Sequence, residues 1–256
     1  MAEKDFSRIE YRRSDAWPSR IRREWPFIEA RLREAPPAGV VLDLGCGSGE
    51  HARFIASRGH ATAGVDRSGD ALRMAAEATP PGAGVSWARA DLRALPFAAG
   101  TARLALCLGN TIAILGDDPA IERSFAEARR VLAPGGVLVL QALNYHKLRS
   151  EAARHLPLDF RRQEGDAGPS EFVYLRLLDF EEPDHVGFHV LTIERFPGRD
   201  EVEVRHATRR RLRSIEHDRI AELLRHAGFN EVALHGDYAG APFEPQASTD
   251  VIAVAK

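Results

Sequence analysis

The sequence is poor in cysteine. Only Cys46 and Cys107 occur in 256 residues, too few for a disulfide framework or a cysteine-rich zinc site. Both lie in or beside predicted strand ends, so we interpret them as small buried thiols. We therefore predict no disulfide and no metal centre.

The sequence also lacks an excess of charge of one sign and long hydrophobic runs. It carries 35 Lys and Arg against 37 Asp and Glu, a formal net charge of -2, which gives no general attraction to nucleic acid. No apolar run approaches membrane-spanning length, and Met1–Asp5 is too charged for a signal peptide. We expect a soluble cytoplasmic protein without nucleic-acid or membrane partners; the sequence does not determine its oligomeric state.

Strand and helix patterns alternate from residue 40 to about residue 143, which is typical of a doubly wound parallel sheet. The predicted strands are Val40–Leu44, Ala61–Asp66, Val85–Asp91, Ala102–Leu108 and Val137–Leu143. Helices are predicted at about 50–58, 69–78 and 119–132, and each ends at glycine or proline. The first 39 residues resemble one or two helices, which begin near Trp17-Pro18 and stop at Pro36-Pro37.

The pattern changes after residue 148. Three segments with partial apolar–polar alternation, 172–180, 188–196 and 202–212, predict an antiparallel meander inserted into the α/β domain. A last helix near 218–227 and strands at 232–235 and 251–254 complete the sheet. The predicted fold is thus a Rossmann-like, seven-stranded α/β sheet with an antiparallel β insert and N-terminal helices. We assign residues 1–39 to those helices, 40–148 to the binding core, 149–213 to the insert and 214–256 to the end of the core sheet.

The most informative segment is the turn after the first strand. Asp43 ends a buried strand, Gly45, Gly47 and Gly49 follow at alternate positions, and Glu50 opens a helix. Glycines at such a turn let a ligand lie against bare backbone. A dinucleotide site would need its third glycine one position later and would place pyrophosphate over the helix N-terminus. The two acids would repel pyrophosphate and favour a positively charged ligand with hydroxyl groups.

This turn resembles motif I, D-x-G-x-G-x-G, of the class I S-adenosylmethionine-dependent methyltransferases, and Asp43 and the three glycines match it position for position. The resemblance implies S-adenosylmethionine as the cofactor. Asp66, at the end of the second strand, is placed to accept both ribose hydroxyls. By resemblance, Asp91 would accept a hydrogen bond from the adenine amino group, and the backbone amide of Leu92 would contact the adenine ring. The backbone of Cys46, the residue Arg67 that follows Asp66, and Leu108 at the end of the fourth strand would also lie at the cofactor.

A second resemblance concerns the methyl acceptor. Cys107-Leu108-Gly109-Asn110-Thr111 looks like the Cys-Leu-Gly-Asn-Ser of glycine and sarcosine N-methyltransferases. Leu143-Asn144-Tyr145 and Gly236-Asp237-Tyr238 resemble later segments of the same enzymes. This match implies that Asn110 contacts the acceptor, that Asn144 and Tyr145 shape its pocket, and that the insert forms a lid.

The departures from this group matter as well. The (Asn/Asp)-Pro-Pro-(Tyr/Phe) signature of amino-adenine and glutamine methyltransferases is missing, which disfavours nucleic-acid bases and protein glutamine as acceptors. Leu143 stands where glycine-methylating enzymes place an arginine for the substrate carboxylate, and an alkyl group cannot replace that cation. We therefore predict a different small-molecule acceptor, with nitrogen favoured over oxygen as the methylated atom.

Three further assignments stay open at this stage. Tyr11, Trp17 and Arg20 resemble N-terminal residues that close over the cofactor, with the arginine on its carboxylate, but a solvated arginine and a core tryptophan fit equally well. The run Arg209-Arg210-Arg211, with Arg213, is interpreted as a solvated face, or else as a site for a phosphate- or carboxylate-bearing acceptor. A non-catalytic binding module and a nicotinamide oxidoreductase are the alternatives to an enzyme that transfers methyl groups.

Overall fold

A computed structural model describes residues 16–165, 168–180, 182–196, 198, 200 and 202–256. Seven strands form the main sheet: β1 Val40–Leu44, β2 Thr62–Asp66, β3 Val85–Arg89, β4 Ala102–Cys107, β5 Leu132–Leu143, β10 Val232–His235 and β11 Asp250–Ala255. Their order is β10-β11-β5-β4-β1-β2-β3. Neighbours among β1 to β5 are parallel, whereas β11 runs antiparallel to both β5 and β10. The predicted seven-stranded α/β sheet is confirmed.

Helices cover both faces of this sheet. The described helices are α1 Ala16–Glu34, α2 Glu50–Ser57, α3 Gly69–Glu77, α4 Asp118–Val131, α5 Tyr145–Ser150 and α6 His217–His226, with a 3₁₀ turn at Thr111–Leu115. One buried cluster joins the sheet to α4 and α6, through residues such as Phe125 and Leu224. A second joins the opposite face to α1 and α2, through Ile28 and Ile55. Because central strands are buried on both faces, they read as unbroken apolar runs in the sequence.

The insert is a separate four-stranded antiparallel sheet. Its strands, in spatial and chain order, are β6 Asp159–Gly165, β7 Gly168–Asp179, β8 His185–Arg195 and β9 Val202–Arg213. Buried residues of this sheet, Leu178, Val186 and Leu212, pack with Ala113 of the 3₁₀ turn and with Tyr145 of α5. The insert therefore rests on the carboxyl-end edge of the main sheet, where ligands bind in open α/β folds.

The structure departs from the sequence prediction at the element ends and in one strand. β5 begins at Leu132, before Pro134-Gly135-Gly136, and β6 was not predicted because Asp159–Gly165 shows no regular apolar alternation. A single helix, α1, is described at the N-terminus, and it passes through Pro26. Tyr11 lies outside the described residues. Within the described part of the chain, no helix is both long and apolar enough to cross a membrane.

Candidate cofactor and acceptor site

A crevice of about 1000 Å³ opens at the carboxyl ends of β1 to β5. Its walls come from the glycine-rich turn, the ends of the next strands, α1 and the insert. Of the residues named in the sequence motifs and assignments, those that line it include Trp17, Arg20, Gly45, Gly47, Asp66, Arg67, Asp91, Leu92, Gly109, Asn110, Thr111, Leu143, Arg210 and Tyr238. Parallel strands thus bring groups distant in sequence to one rim.

The glycines of the turn are required by close packing as well as by backbone conformation. Gly45, Gly47 and Gly49 have φ values of 76°, 53° and 78°, in the left-handed region. A Cβ on Gly45 would lie 2.4 Å from the Thr111 side chain, and one on Gly49 would lie 2.1 Å from the Trp87 ring. Gly49 therefore serves the packing of the turn on β3, and Gly45 keeps the crevice floor bare.

Asp66 organises the same turn from the end of β2. Its Oδ2 accepts a hydrogen bond from the Gly47 amide at 2.9 Å, and its Oδ1 accepts one from the Ser68 amide at 2.9 Å. A carboxylate has about four lone-pair positions, so it can accept ligand hydroxyls in addition. The Gly47 amide, in contrast, is already engaged and is not offered to a phosphate.

The N-terminus of α2 carries its own negative charges. Asp43 is 3% exposed, accepts a hydrogen bond from the Ala52 amide, and has its pKa raised by burial. Glu50, in the first turn of α2, forms an ion pair with Arg53 at 2.6 Å. The two acids therefore lie at the N-terminus of α2, outside the crevice lining, and engage groups that a dinucleotide site would direct at pyrophosphate. The turn fits a nucleoside cofactor that has no phosphate.

Asp91 and Leu92 lie on the crevice rim after β3. Both oxygens of Asp91 accept hydrogen bonds from the Arg93 side chain, at 2.9 and 2.6 Å. These bonds from Arg93 lower the pKa of the partly exposed Asp91 carboxyl to about 2. Arg93 was not anticipated from the sequence, and it orients the carboxylate that the resemblance assigns to adenine.

The helix α1 is joined to the glycine turn by a buried ionic cluster. Glu24 is 1% exposed and accepts a hydrogen bond from Arg20 at 2.7 Å, while His51 Nε2 lies 2.6 Å from its second oxygen. Burial opposes ionisation of Glu24, but the bonds to His51 and Arg20 outweigh it and lower its pKa. Trp17 packs edge-on against His51, and the Arg20 guanidinium lies 5.0 Å from the Trp17 ring centre. The cluster holds α1 over the crevice.

A second polar network, which the sequence did not reveal as a unit, lies beside Arg20. Gln141 Oε1 accepts hydrogen bonds from the Gly109 and Asn110 amides, and its Nε2 donates to Asp250 at 2.8 Å. Burial raises the pKa of Asp250. Tyr238 also lines the crevice; it is 8% exposed, and its hydroxyl has no hydrogen-bond partner in the described part of the chain. A buried polar atom at a crevice wall is a position that a ligand can satisfy.

The acceptor residues suggested by resemblance are only partly directed at the crevice. Asn110 lines it, with φ 62°, and its carboxamide donates to the Tyr145 hydroxyl at 2.7 Å and accepts from the Leu143 amide. Tyr145 is 1% exposed, and burial raises its pKa. Asn144 is equally buried, and its amide donates to the carbonyls of Pro245 and Ser248. Tyr145 and Asn144 therefore support the wall from behind.

Several other sequence candidates also lie outside the crevice lining. They are Asp43, Cys46, Gly49 and Leu108. The Cys46 thiol is directed away from the crevice, since a Cβ on Gly64 would meet its sulfur at 2.9 Å. Burial raises the pKa of Cys46, and it raises the pKa of Cys107 to about 12. Both side chains behave as packing residues.

Comparison with known families matches residues 41–136 to a methyltransferase domain. Among curated proteins, the chain is 33% identical over 138 residues to a 2-phytyl-1,4-naphtoquinone methyltransferase of Trichormus variabilis. That alignment covers 52% of this chain and 58% of the relative. The chain thus spans about half the length of the curated relatives that it matches.

Solved structures resemble almost the whole chain. A S-adenosylmethionine-dependent methyltransferase from Clostridium acetobutylicum has a TM-score of 0.69 at 19% identity, with 91% of this chain and 90% of that chain covered. An amino pentose methyltransferase from Micromonospora echinaspora has a TM-score of 0.69 at 20% identity, with 95% and 97% covered. At such identities the likeness concerns the fold. Residues 41–136 therefore match a methyltransferase domain, and the chain has the class I fold of the S-adenosylmethionine-dependent methyltransferases.

Proposed function

We propose that the protein is a S-adenosylmethionine-dependent methyltransferase acting on a small molecule, and that the methylated atom is an amine nitrogen. The observation that carries the cofactor assignment is the glycine turn with its carboxylates. Asp66 accepts a hydrogen bond from the Gly47 amide, Asp43 accepts one from the Ala52 amide near the start of α2, and Glu50 lies in the first turn of that helix. This arrangement leaves bare backbone for a nucleoside, while the Gly47 and Ala52 amides, which a diphosphate would need, already donate to carboxylates of the chain.

The crevice residues divide naturally along such a cofactor. Asp66 would accept hydrogen bonds from the ribose hydroxyls, while Asp91 and the backbone of Leu92 would contact adenine. Arg20 and the Tyr238 hydroxyl, at the other end, would hold the amino-acid carboxylate. The cofactor, when bound, supplies an electrophilic methyl group on a positively charged sulfur. The residues of the chain have to hold the two reactants in line, and such positioning can lower a barrier by about 7–11 kcal/mol.

Support for an acceptor that must lose a proton comes from Asp250 and the turn at Gly109 and Asn110, and the choice of nitrogen over oxygen rests on the resemblance of that turn to N-methyltransferases. An amine acceptor must lose its proton before it attacks, and a buried carboxylate with a raised pKa is a stronger base than an exposed one. Asp250 lines the crevice and is connected through Gln141 to that turn. In this proposal Asp250 takes the proton, and Asn110 donates its remaining N–H to the acceptor.

The similarity to glycine and sarcosine N-methyltransferases remains a resemblance of motifs. Leu143 lines the crevice, so an alkyl side chain faces the acceptor region where the resemblance would require an arginine. We therefore propose an acceptor other than glycine. Enzymatic turnover of glycine or sarcosine would contradict this part of the proposal.

The proposed reaction is tested by incubating the protein with methyl-labelled S-adenosylmethionine and a fractionated metabolite pool. We expect one labelled small-molecule product, with formation suppressed by excess S-adenosylhomocysteine. The ¹³C chemical shift of the transferred methyl group separates N-methylation from O-methylation, which is the alternative activity. Tight cofactor binding without any labelled product would instead indicate a non-catalytic binding module.

A further inference from the structure

Arg20 is an arginine of α1 whose guanidinium reaches into the crevice. Its Nε donates a hydrogen bond to Glu24 at 2.7 Å, whereas its Nη2 would lie 3.9 Å from a Cβ built on Gly109. Gly109 lines the crevice, as Arg20 does. The bond to Glu24 is therefore made through Nε, and the Nη2 end of the guanidinium is turned towards the turn that follows β4.

An arginine paired with a glutamate four residues along a helix is not ordinarily held in one orientation. Both side chains are long, and exposed pairs of this kind contribute little to stability. Glu24 differs because it is 1% exposed and because its second oxygen, Oε2, lies 2.6 Å from His51 Nε2. Contacts at both oxygens fix the rotamer of this carboxylate, and they therefore fix the direction of its bond to Arg20.

The proton of the His51–Glu24 hydrogen bond is on the imidazole. Burial opposes ionisation of Glu24, but the bonds from His51 and Arg20 outweigh it and lower the pKa of the carboxyl. An ionised carboxylate can only accept hydrogen bonds, so His51 Nε2 is the donor. Glu24 thus accepts from an imidazole on one side and from a guanidinium on the other.

His51 is itself fixed between the glycine turn and α1. It is the second residue of α2, it is 7% exposed, and it packs edge-on against Trp17 with ring centres 5.5 Å apart. Trp17, Arg20 and Glu24 follow one another at spacings of three and four residues and so share one face of α1. A continuous set of contacts therefore leads from the glycine turn to the Arg20 guanidinium.

We propose that His51 and Glu24 are positioning residues for cofactor binding: His51 holds Glu24, and Glu24 directs Arg20 at the amino-acid carboxylate of S-adenosylmethionine. We call these three residues the positioning chain. The inference rests on the proposed function, and it adds a residue, His51, that lies outside the crevice lining. A guanidinium binds a carboxylate in bidentate geometry, and one that is already oriented loses less conformational freedom on binding.

The test compares two ligands that differ in the amino-acid group. S-adenosylhomocysteine has the carboxylate, whereas 5′-methylthioadenosine has the same nucleoside thioether without it. In calorimetric titrations, Glu24→Gln and His51→Phe should each weaken S-adenosylhomocysteine binding about tenfold and leave methylthioadenosine binding unchanged. Phenylalanine keeps a ring against Trp17 and removes the N–H donor. Equal losses for both ligands, or no loss for either, would overturn the proposal.

A double-mutant cycle determines whether His51 acts through Arg20. Arg20→Gln should weaken S-adenosylhomocysteine binding at least tenfold, and His51→Phe added to it should cause no further loss, because residues that act through one another are not additive. His51→Gln, whose amide N–H can replace the imidazole donor, should recover part of the affinity. Losses that add in the double variant would contradict the positioning chain.

The chain offers a matched control for each substitution. Glu29 accepts a hydrogen bond from Arg33 at 2.7 Å, the same spacing along α1 but on an exposed side, and His60 lies against Trp25 with ring centres 6.5 Å apart. Neither Glu29 nor His60 lines the crevice. Glu29→Gln and His60→Phe should leave both affinities unchanged. Losses as large as those in the positioning chain would indicate a general loosening of α1 and refute the proposal.

The same titrations separate this inference from the proposed function. Thermal unfolding verifies that each variant is folded. Wild-type affinity for S-adenosylhomocysteine in Glu24→Gln and His51→Phe would refute the positioning chain and leave the methyltransferase assignment intact. Failure of the wild-type protein to bind S-adenosylhomocysteine would refute both.

Discussion

Replacing Asp66 by alanine is expected to weaken S-adenosylmethionine binding about ten- to hundredfold. The complex would lose the bidentate, charge-assisted contact between this carboxylate and the ribose, which as a whole is worth roughly 1.5–3 kcal/mol. The substitution also removes the hydrogen bonds that the Gly47 and Ser68 amides donate to Asp66. The turn itself therefore becomes less ordered. Calorimetric titration of the variant with the cofactor measures the effect directly.

The control for Asp66→Ala is Asp70→Asn. Asp70 lies in the first turn of α3, four residues further along, and pairs with Arg73 outside the crevice lining. Its neutralisation should leave cofactor affinity unchanged. Asp66→Asn preserves the shape of the side chain and removes only its charge, and we expect an intermediate loss. Wild-type affinity in Asp66→Ala would mean that the ribose lies elsewhere.

Replacing Gly49 by alanine is expected to destabilise the protein by about 2–5 kcal/mol. A left-handed conformation costs a residue with a Cβ about 1–2 kcal/mol, and overpacking costs about 1–3 kcal/mol more. The added methyl would lie 2.1 Å from the Trp87 ring, so β3 or the turn has to move. The midpoint of urea unfolding should fall, and the folded fraction should bind the cofactor less tightly because the turn has shifted.

Gly59→Ala isolates the conformational part of this effect. Gly59 has φ 86°, but a Cβ there would meet nothing within 4 Å. We expect a loss of about 1–2 kcal/mol and no change in cofactor affinity. If Gly49→Ala cost no more than Gly59→Ala, the close packing of the turn against Trp87 would be refuted.

The main sheet could be predicted from the sequence because its strands have a recognisable residue pattern. Strands buried on both faces, such as Val40–Leu44, are unbroken apolar runs, and glycine or proline marks the helix ends. The strand β6 has no such pattern, because its residues Asp159–Gly165 are mostly charged. It is held as a strand by its pairing with β7. Pairing between neighbouring strands overrode weak local preference there.

The candidate site was predictable where it is local in sequence and not where it is assembled by tertiary contacts. Gly45 and Asp66 are marked by their places at strand ends. The Glu24–His51 pair spans 27 residues and the Gln141–Asp250 bond spans 109, so neither is visible as a motif. Gln141, a polar residue inside the apolar strand β5, was the one available signal of the second network.

The arginine run at the end of the insert shows that the role of each charge depends on the face of the strand on which its side chain lies. In sequence, Arg209, Arg210 and Arg211 form one basic patch, which we interpreted chiefly as a solvated face. In the structure, alternation separates them between the two faces of β9. Arg213 pairs with Asp118, at 2.7 Å, and is mostly buried. A single run therefore contributes an ion pair with Glu182 through Arg211, part of the crevice lining through Arg210, and the packing of the insert on α4 through Arg213.

We expect the carboxylates around the glycine turn to select a phosphate-free, positively charged nucleoside. The most direct measurement is a pair of calorimetric titrations of the wild-type protein, one with S-adenosylmethionine and one with NAD. We predict saturable binding of one S-adenosylmethionine per chain, displaced by S-adenosylhomocysteine, and no saturable heat with NAD. Tighter binding of NAD, or no binding of S-adenosylmethionine at saturating concentration, would contradict it.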